Sequence, residues 1–190
     1  MRRRGAGRVA LRPEALPCGA VAQLGEDRLE RGRVAGVPSY VAVDPREARE
    51  SKRPLRAMPG ILRLFDRLFG PYPFSAGGGI VDDLNELGFA LETQTRPIYS
   101  WLFFTDTISG DSVFVHEIAH QWVGDYLAVE QWQHIWLNEG FATYAEWLWS
   151  DAEGLGTVQE IFDFYDSVFP ANDPIWTVTI GDPGPDDLFN

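Results

Sequence analysis

The chain has 190 residues, of which 45% are apolar and 13% aromatic, a length and composition that allow one domain with a buried core. Its single cysteine, Cys18, excludes an internal disulfide bond and a zinc site built from several thiolates. The net charge of −12 is concentrated in residues 68–190, which hold twenty acidic side chains and one basic one, and such an acidic segment argues against nucleic acid as a partner.

The N-terminal segment, residues 1–36, is rich in Arg, Gly and Ala without any period. We predict that it is poorly structured or non-native. It has no uninterrupted apolar stretch of the kind that a secretory signal needs, and the whole chain has no apolar run of transmembrane length. The sequence therefore predicts no membrane segment and makes the cytoplasm the default location.

Strand and helix signals follow this segment. Residues 37–43 have the composition of a strand, and Asp44-Pro45 predicts the start of a helix, with Asp44 as its cap and Pro45 in its first turn. A further helix is predicted from residue 55 or residue 60 to Phe69, where Gly70-Pro71 ends it.

Short strands are predicted in the middle of the chain. Gly77-Gly78-Gly79 indicates a flexible turn that leads into a strand at 80–82. Two more strands are predicted at 89–95 and 98–104, separated near Arg96-Pro97.

Helical periodicity dominates the rest of the chain. It predicts helices at about 110–125, 137–151 and 154–168, and the prolines after residue 169 predict a loop-like tail. A small sheet followed by a mainly helical part is an α+β architecture.

The pattern His-Glu-Ile-Ala-His at 116–120 carries the chemistry of this sequence. Residues four apart lie on one face of a helix, so His116 and His120 can bind one metal ion. Glu117 lies beside that face, where a general base for a metal-activated water belongs. The surrounding sequence is apolar, and burial of these three groups requires compensation, which a metal ion supplies. The alternative is a pair of hydrogen-bonded core histidines.

Glu139 is the candidate third ligand. It follows His120 after eighteen residues and opens a second apolar helix, for which Asn138 is a candidate N-terminal cap. Glu146 and Thr143 are candidate partners for a ligand histidine, although a solvated surface Glu is an equal alternative for Glu146. The remaining histidine, His134, is surplus to this set, and we interpret it as structural.

The strings HEIAHQW at 116–122 and WLNEGFATYAEW at 136–147 resemble the gluzincin aminopeptidases, the family of aminopeptidase N and the leukotriene hydrolase. The resemblance implies an α+β, thermolysin-like zinc metallopeptidase catalytic domain, incomplete and spanning residues 37–190. It also implies one zinc ion bound by His116, His120 and Glu139, with Glu117 as the base that activates water for peptide hydrolysis.

A third part of the resemblance is weaker. Phe89-Ala90-Leu91-Glu92-Thr93 stands where the family has Gly-x-Met-Glu-Asn. The resemblance implies that Ala90 and Leu91 line the peptide substrate and that Glu92 binds its free amino group, which places the first peptide bond at the metal. The alternative for Glu92 is an ordinary solvent-facing carboxylate.

The family pattern also implies parts beyond this sequence. A tyrosine that stabilises the oxyanion is expected after Asn190, and N- and C-terminal domains are expected on either side. We therefore expect the chain alone to bind zinc but to turn over peptides poorly. Two other functions remain open: a thermolysin-type zinc endopeptidase, which needs no amine anchor, and a non-catalytic zinc-binding fragment.

Overall fold

The computed structural model describes residues 28–47, 49, 51–82, 89–104, 107–185 and 188. Four strands in these residues form one sheet: β1 (Arg28–Val34), β2 (Val37–Val43), β3 (Gly77–Asp82) and β4 (Ile98–Ser100). The same described ranges hold four α-helices: α1 (Lys52–Phe69), α2 (Thr107–Ala119), α3 (Trp136–Glu153) and α4 (Val158–Val168). Short 3-10 helices lie at Trp101–Phe104, Trp132–His134 and Pro174–Thr177. Within the described residues, every helix is too short or too polar to cross a membrane.

The sheet has the order β1-β2-β3-β4. A tight turn at Ala35-Gly36 joins the antiparallel pair β1 and β2, while β3 runs parallel to both β2 and β4. The expectation that residues 1–36 lack structure is therefore wrong for 28–36, where β1 gains a full ladder of pairs with β2. Residues 1–27, including Cys18, lie outside the described part.

The helix predicted at Asp44 is a turn instead. The Asp44 carboxylate accepts hydrogen bonds from the backbone N–H of Arg46 at 2.8 Å and from the Arg46 guanidinium, which hold the pKa of this carboxyl below its usual range. The backbone carbonyl of Asp44 accepts from Glu47. A local side-chain pairing thus competes with the helix, which begins only at Lys52.

The glycines at 77–79 form part of β3 rather than a flexible turn. Gly78 pairs with Tyr40 of β2 and has a φ of +150°, and a Cβ atom built on it would lie 1.8 Å from the Tyr40 carbonyl oxygen. Glycine is therefore required here because the two backbones approach too closely for a side chain.

The strand predicted at 89–95 is also absent from the structure. Leu91 makes a single antiparallel bridge with Ile98, and the chain then turns at Thr93–Arg96, with Thr95 at a φ of +69°. The Thr93 hydroxyl donates to the Arg96 carbonyl at 2.7 Å across this turn. Pairing at one position only leaves Glu92 on a short connection rather than in a sheet.

The core lies between the sheet and helices α1, α2 and α3. Phe114, Val115 and Ile118 of α2 are buried, and α2 packs against both other helices. The indole of Trp122 donates to the Gly70 carbonyl at 2.8 Å and packs edge-on against Phe65. These contacts fix the turn after α2 against the end of α1, and this turn completes the helix earlier than the predicted residue 125.

Substitution of Gly78 tests this close backbone approach. We expect Gly78→Ala to lower the free energy of unfolding by about 3 kcal/mol or more, since the added carbon overlaps the Tyr40 carbonyl. Gly32→Ala is the matched control, because Gly32 lies in β1 of the same sheet with open space around it. Urea denaturation followed by circular dichroism measures both variants. Equal stability of the two variants would contradict the proposed contact.

Candidate metal centre

Two helices bring the candidate ligands together. His116 lies in α2, His120 lies in the turn directly after it, and Glu139 lies in the first turn of α3. One ligand atom of each side chain lies within 4.8 Å of those of the other two, and among the described residues this is the only group of His, Cys, Asp and Glu that converges in this way. His116 and His120 lie in and directly after α2, whereas Glu139 lies in α3, so the packing of α2 against α3 is what brings the three side chains together.

The distances fit one zinc ion. Nε2 of His116 lies 3.3 Å from Oε2 of Glu139, and Nε2 of His120 lies 3.6 Å from the same oxygen. Bonds of about 2.0–2.1 Å in a tetrahedral zinc site place neighbouring ligand atoms about 3.3 Å apart. The two distances to the Glu139 carboxylate therefore match this spacing, all three donor atoms lie within 4.8 Å of one another, and two imidazoles with a carboxylate are ligands of the type that zinc prefers.

The other ring nitrogens of the two histidines have protein partners. Nδ1 of His116 lies 2.6 Å from Oε1 of Glu146, and Nδ1 of His120 lies 3.0 Å from the Val123 carbonyl. Both partners are acceptors, so each Nδ1 carries a hydrogen and donates it. In the neutral imidazole, each Nε2 then has the lone pair that a metal would bind. The Glu146 carboxylate also accepts from the Ser112 hydroxyl, which fixes its own orientation.

Hydrogen bonds at the partly buried ligands determine the pKa values of His116 and Glu139. Burial lowers the His116 pKa, but hydrogen bonds with Glu139 and Glu146 outweigh this effect and raise the pKa to about 10. Burial raises the Glu139 pKa, but hydrogen bonds from His116 and His120 outweigh this effect and lower it to about 2. Without metal the two groups form an ion pair, and a cation that binds there displaces the proton from the imidazole.

Glu117 lies beside the three ligands. It is 7% exposed, and burial raises its pKa to about 7. The positive charges of His116 and His120 oppose this increase, whereas the negative charges of Glu92 and Glu139 add to it. A carboxyl group with a pKa near neutrality can both accept and release a proton.

Glu92 belongs to the same acidic region. It is half-buried, and its charge adds to the effect of burial on the pKa of Asp125, which rises to about 7. The negative charge of Glu92 raises the pKa of both Glu117 and Asp125, so its carboxylate lies within electrostatic range of both groups. Ala90 and Leu91 precede it and are partly buried, and Leu91 is held by its backbone bridge to Ile98.

The structure also places three further residues that the sequence analysis discussed: Asn138, His134 and Glu146. Asn138 is not the cap of α3, which begins at Trp136, because Asn138 already lies inside the first turn with its side chain buried. His134 lies in a 3-10 helix and is not part of the ligand group. The acceptor for His116 is Glu146, one of its two candidate partners.

Gln121 is a site residue that the sequence analysis missed. Its side chain is 2% exposed and hydrogen-bonds to the backbone of the Glu92 segment. The available signal was a polar side chain next to a ligand histidine in an otherwise apolar stretch, and such a side chain needs buried hydrogen-bond partners.

Comparisons with known proteins agree with this geometry. Residues 105–172 match the Peptidase family M1 domain. Human aminopeptidase N is 52% identical over 40 residues, which are 21% of this chain and 4% of the human protein. Aminopeptidase M1 of Arabidopsis thaliana is 51% identical over 41 residues, or 22% of this chain and 5% of the plant protein. The chain thus matches a small part of these relatives.

Solved structures extend the similarity beyond the metal-binding motifs. A mutant of a two-domain M1 zinc metallopeptidase, bound to the amino acid L-tryptophan, has a TM-score of 0.68 and 27% identity, covering 87% of this chain and 36% of that one. A mutant M1 zinc metallopeptidase from Deinococcus radiodurans, bound to a Tyr-Ser-Ala substrate, has a TM-score of 0.59 and 28% identity, covering 75% of this chain and 32% of that one.

These findings confirm the resemblance to the gluzincin aminopeptidases and the small mixed sheet with helices of the M1 zinc metallopeptidases. The chain spans about a third of the length of the matching solved structures. The M1 match includes the candidate ligands and Glu117, whereas Glu92 lies before it.

Glu146→Gln tests the hydrogen bond that orients His116. The neutral amide is a weaker acceptor for Nδ1–H, so we expect zinc affinity to fall about 10- to 100-fold while the fold is kept. The control is Glu153→Gln, which makes the same charge change at an exposed position of α3. Competition with a chromophoric zinc chelator measures both affinities. Equal zinc affinity of the two variants would show that the hydrogen bond from His116 to Glu146 does not contribute to metal binding.

Proposed function

We propose that the chain is part of the catalytic domain of a zinc aminopeptidase, with one zinc ion held by His116, His120 and Glu139. The observation that carries this proposal is the convergence of two imidazoles and one carboxylate, with each Nε2 atom 3.3–3.6 Å from the Glu139 carboxylate and all three ligand atoms within 4.8 Å of one another. The matches to aminopeptidases and to M1 zinc metallopeptidases support the same metal and the same class of reaction.

Glu117 has the position and the protonation behaviour of the general base. Zinc supplies Lewis-acid chemistry, which makes a water molecule more acidic and polarises the peptide carbonyl. The Glu117 carboxylate accepts the proton of the attacking water and then donates it to the leaving amine. Because the pKa of Glu117 lies near 7 in the absence of metal and the cation favours the ionised form, the base is ready at neutral pH.

Glu92 is the proposed anchor for the substrate amino group. It lies in an acidic region with Glu117 and Asp125, and segment 68–190 carries a net charge of −19. A cationic N-terminus is attracted into such a region and is held there by a carboxylate. The ligands in the similar structures, L-tryptophan and Tyr-Ser-Ala, both carry a free α-amino group. Ala90 and Leu91 would then line the first residues of the peptide.

The proposed catalytic domain begins earlier than residue 37, because β1 belongs to its sheet. The oxyanion-stabilising tyrosine expected after Asn190, and the flanking domains, stay predictions. Assays of turnover therefore use the chain extended beyond Asn190, and assays of zinc and ligand binding use the 190-residue chain.

Glu117→Gln tests the general base. We expect the variant to bind zinc with the stoichiometry of the wild type, because Glu117 is not among the three ligands. In the extended protein, turnover of leucine amide should fall about 100- to 10,000-fold, since the amide cannot accept the proton. Zinc content by mass spectrometry and product release measure the two effects. Loss of zinc would make Glu117 a ligand, and normal turnover would exclude it as the base.

Glu92→Gln separates an aminopeptidase from an endopeptidase. An amine anchor requires its negative charge, so we expect cleavage of a free-amine peptide to fall at least about 100-fold while zinc content is unchanged. The control is Glu130→Gln, an exposed charge change in the same acidic segment. The wild type should also cleave the N-acetylated peptide far more slowly. Equal cleavage of acetylated and free peptides would favour the endopeptidase.

A further inference from the structure

The side-chain amide of Gln121 joins two parts of the proposed site. Its oxygen accepts a hydrogen bond from the Thr95 backbone N–H at 2.7 Å, and the Tyr72 hydroxyl lies 3.4 Å from the same oxygen. Its nitrogen donates to the Glu92 backbone carbonyl at 3.2 Å and to the Asp125 carboxylate at 2.8 Å. Three hydrogen bonds to Thr95, Glu92 and Asp125 therefore use both amide hydrogens and the amide oxygen, while the Tyr72 hydroxyl, which also lies 3.2 Å from the Ala76 carbonyl oxygen, is close to the same oxygen.

These partners leave one orientation of the amide. A backbone N–H can only donate and a backbone carbonyl can only accept, so Thr95 requires the oxygen and Glu92 requires the nitrogen. The Asp125 carboxylate, an acceptor, agrees with this orientation. Neither a carboxylate nor an apolar side chain at position 121 can make the same set of contacts, and the site is buried from water.

Apart from Gln121, the Glu92 segment is held by one backbone bridge and by hydrogen bonds within its own turn. Leu91 and Ile98 exchange two backbone hydrogen bonds, and beyond this bridge the chain turns through residues 93–96. Thr95 has a φ of +69°, a conformation that non-glycine residues adopt only when their surroundings impose it. Gln121 binds both ends of the connection, at Glu92 and at Thr95, and so fixes the backbone from which the Glu92 side chain projects.

The same residue belongs to the metal-binding turn. Gln121 directly follows His120, and the Asp125 N–H donates to the His120 carbonyl at 2.9 Å, so that Gln121 and Asp125 share one compact turn. We infer that Gln121 is a positioning residue, which holds the Glu92 carboxylate at a set place relative to the metal ligands. This inference rests on the proposed role of Glu92 as the amine anchor.

The test compares Gln121→Met and Gln121→Glu in the 190-residue, zinc-loaded chain. Met keeps the length of the side chain and removes every hydrogen bond. Glu keeps an acceptor for Thr95 and places a negative charge against the Glu92 carbonyl and Asp125. Gln133→Met is the control, because it removes one amide-to-carbonyl hydrogen bond, to Gly181, at the surface.

Two measurements report on position rather than on turnover. The first is hydrogen exchange of the Thr95 amide by NMR, with the Leu91 amide as an internal reference. We expect Thr95 to exchange at least about tenfold faster in Gln121→Met while Leu91 is unchanged. The second is calorimetric binding of leucine amide and of its N-acetyl derivative. We expect both Gln121 variants to bind leucine amide at least about tenfold more weakly, with wild-type zinc content.

The two proposals fail in different ways. If wild type prefers leucine amide but both Gln121 variants keep this preference and the Thr95 protection, Gln121 is not a positioning residue and the amine anchor stands. If wild type binds the free and acetylated compounds equally, the anchor itself is wrong. Should Gln121→Met unfold, as judged by circular dichroism, Gln121→Glu decides: full retention of leucine amide affinity overturns the inference.

Discussion

Everything in the metal centre depends on the packing of α2 against α3. This contact brings Glu139 within 3.3 Å and 3.6 Å of the two imidazole nitrogens that a metal would bind. It also brings Glu146, two turns further along α3, against the opposite nitrogen of His116. Burial of so many ionisable groups is unfavourable unless their charges compensate one another or a cation. A bound metal cation would therefore compensate the partly buried negative charges of Glu139 and Glu146 between the two helices.

The second half of the site depends on a different kind of contact. Glu92 lies on a short connection after a single bridge, and its place is fixed by side-chain hydrogen bonds from the turn that follows His120. One turn therefore supports both parts of the proposed site. It contains the candidate metal ligand His120, and its Gln121 side chain binds the backbone of Glu92, the proposed amine anchor. A peptide whose amino group binds Glu92 would reach from that carboxylate to the metal, so the turn would determine which peptide bond lies at the metal.

The parts of this molecule that sequence reasoning could find are those that depend on local spacing. His116, Glu117 and His120 follow from helical periodicity, and Glu139 follows from the start of the next apolar helix. The surrounding α+β architecture also followed from the order of the patterns, and the comparisons confirm it.

Most of the errors have a common physical origin in tertiary contacts. The Asp44 helix is the exception, because a local pairing with Arg46 replaces it. The glycine turn at 77–79 became a strand because the backbone pairs closely with Tyr40 at Gly78. The missing strand around Glu92 and the role of Gln121 belong to one network, which links residues 26 and 29 positions apart. Spacing rules contain no information about such contacts.

X-ray absorption spectroscopy of the zinc-loaded chain tests the central claim most directly. We expect zinc to have only nitrogen and oxygen neighbours, at about 2.0–2.1 Å, with the scattering pattern of two imidazoles. The same spectrum is expected after His134→Ala, because His134 lies outside the ligand group. A sulfur neighbour at about 2.3 Å, or a pattern of fewer than two imidazoles, would contradict the assignment of His116, His120 and Glu139 as the metal ligands.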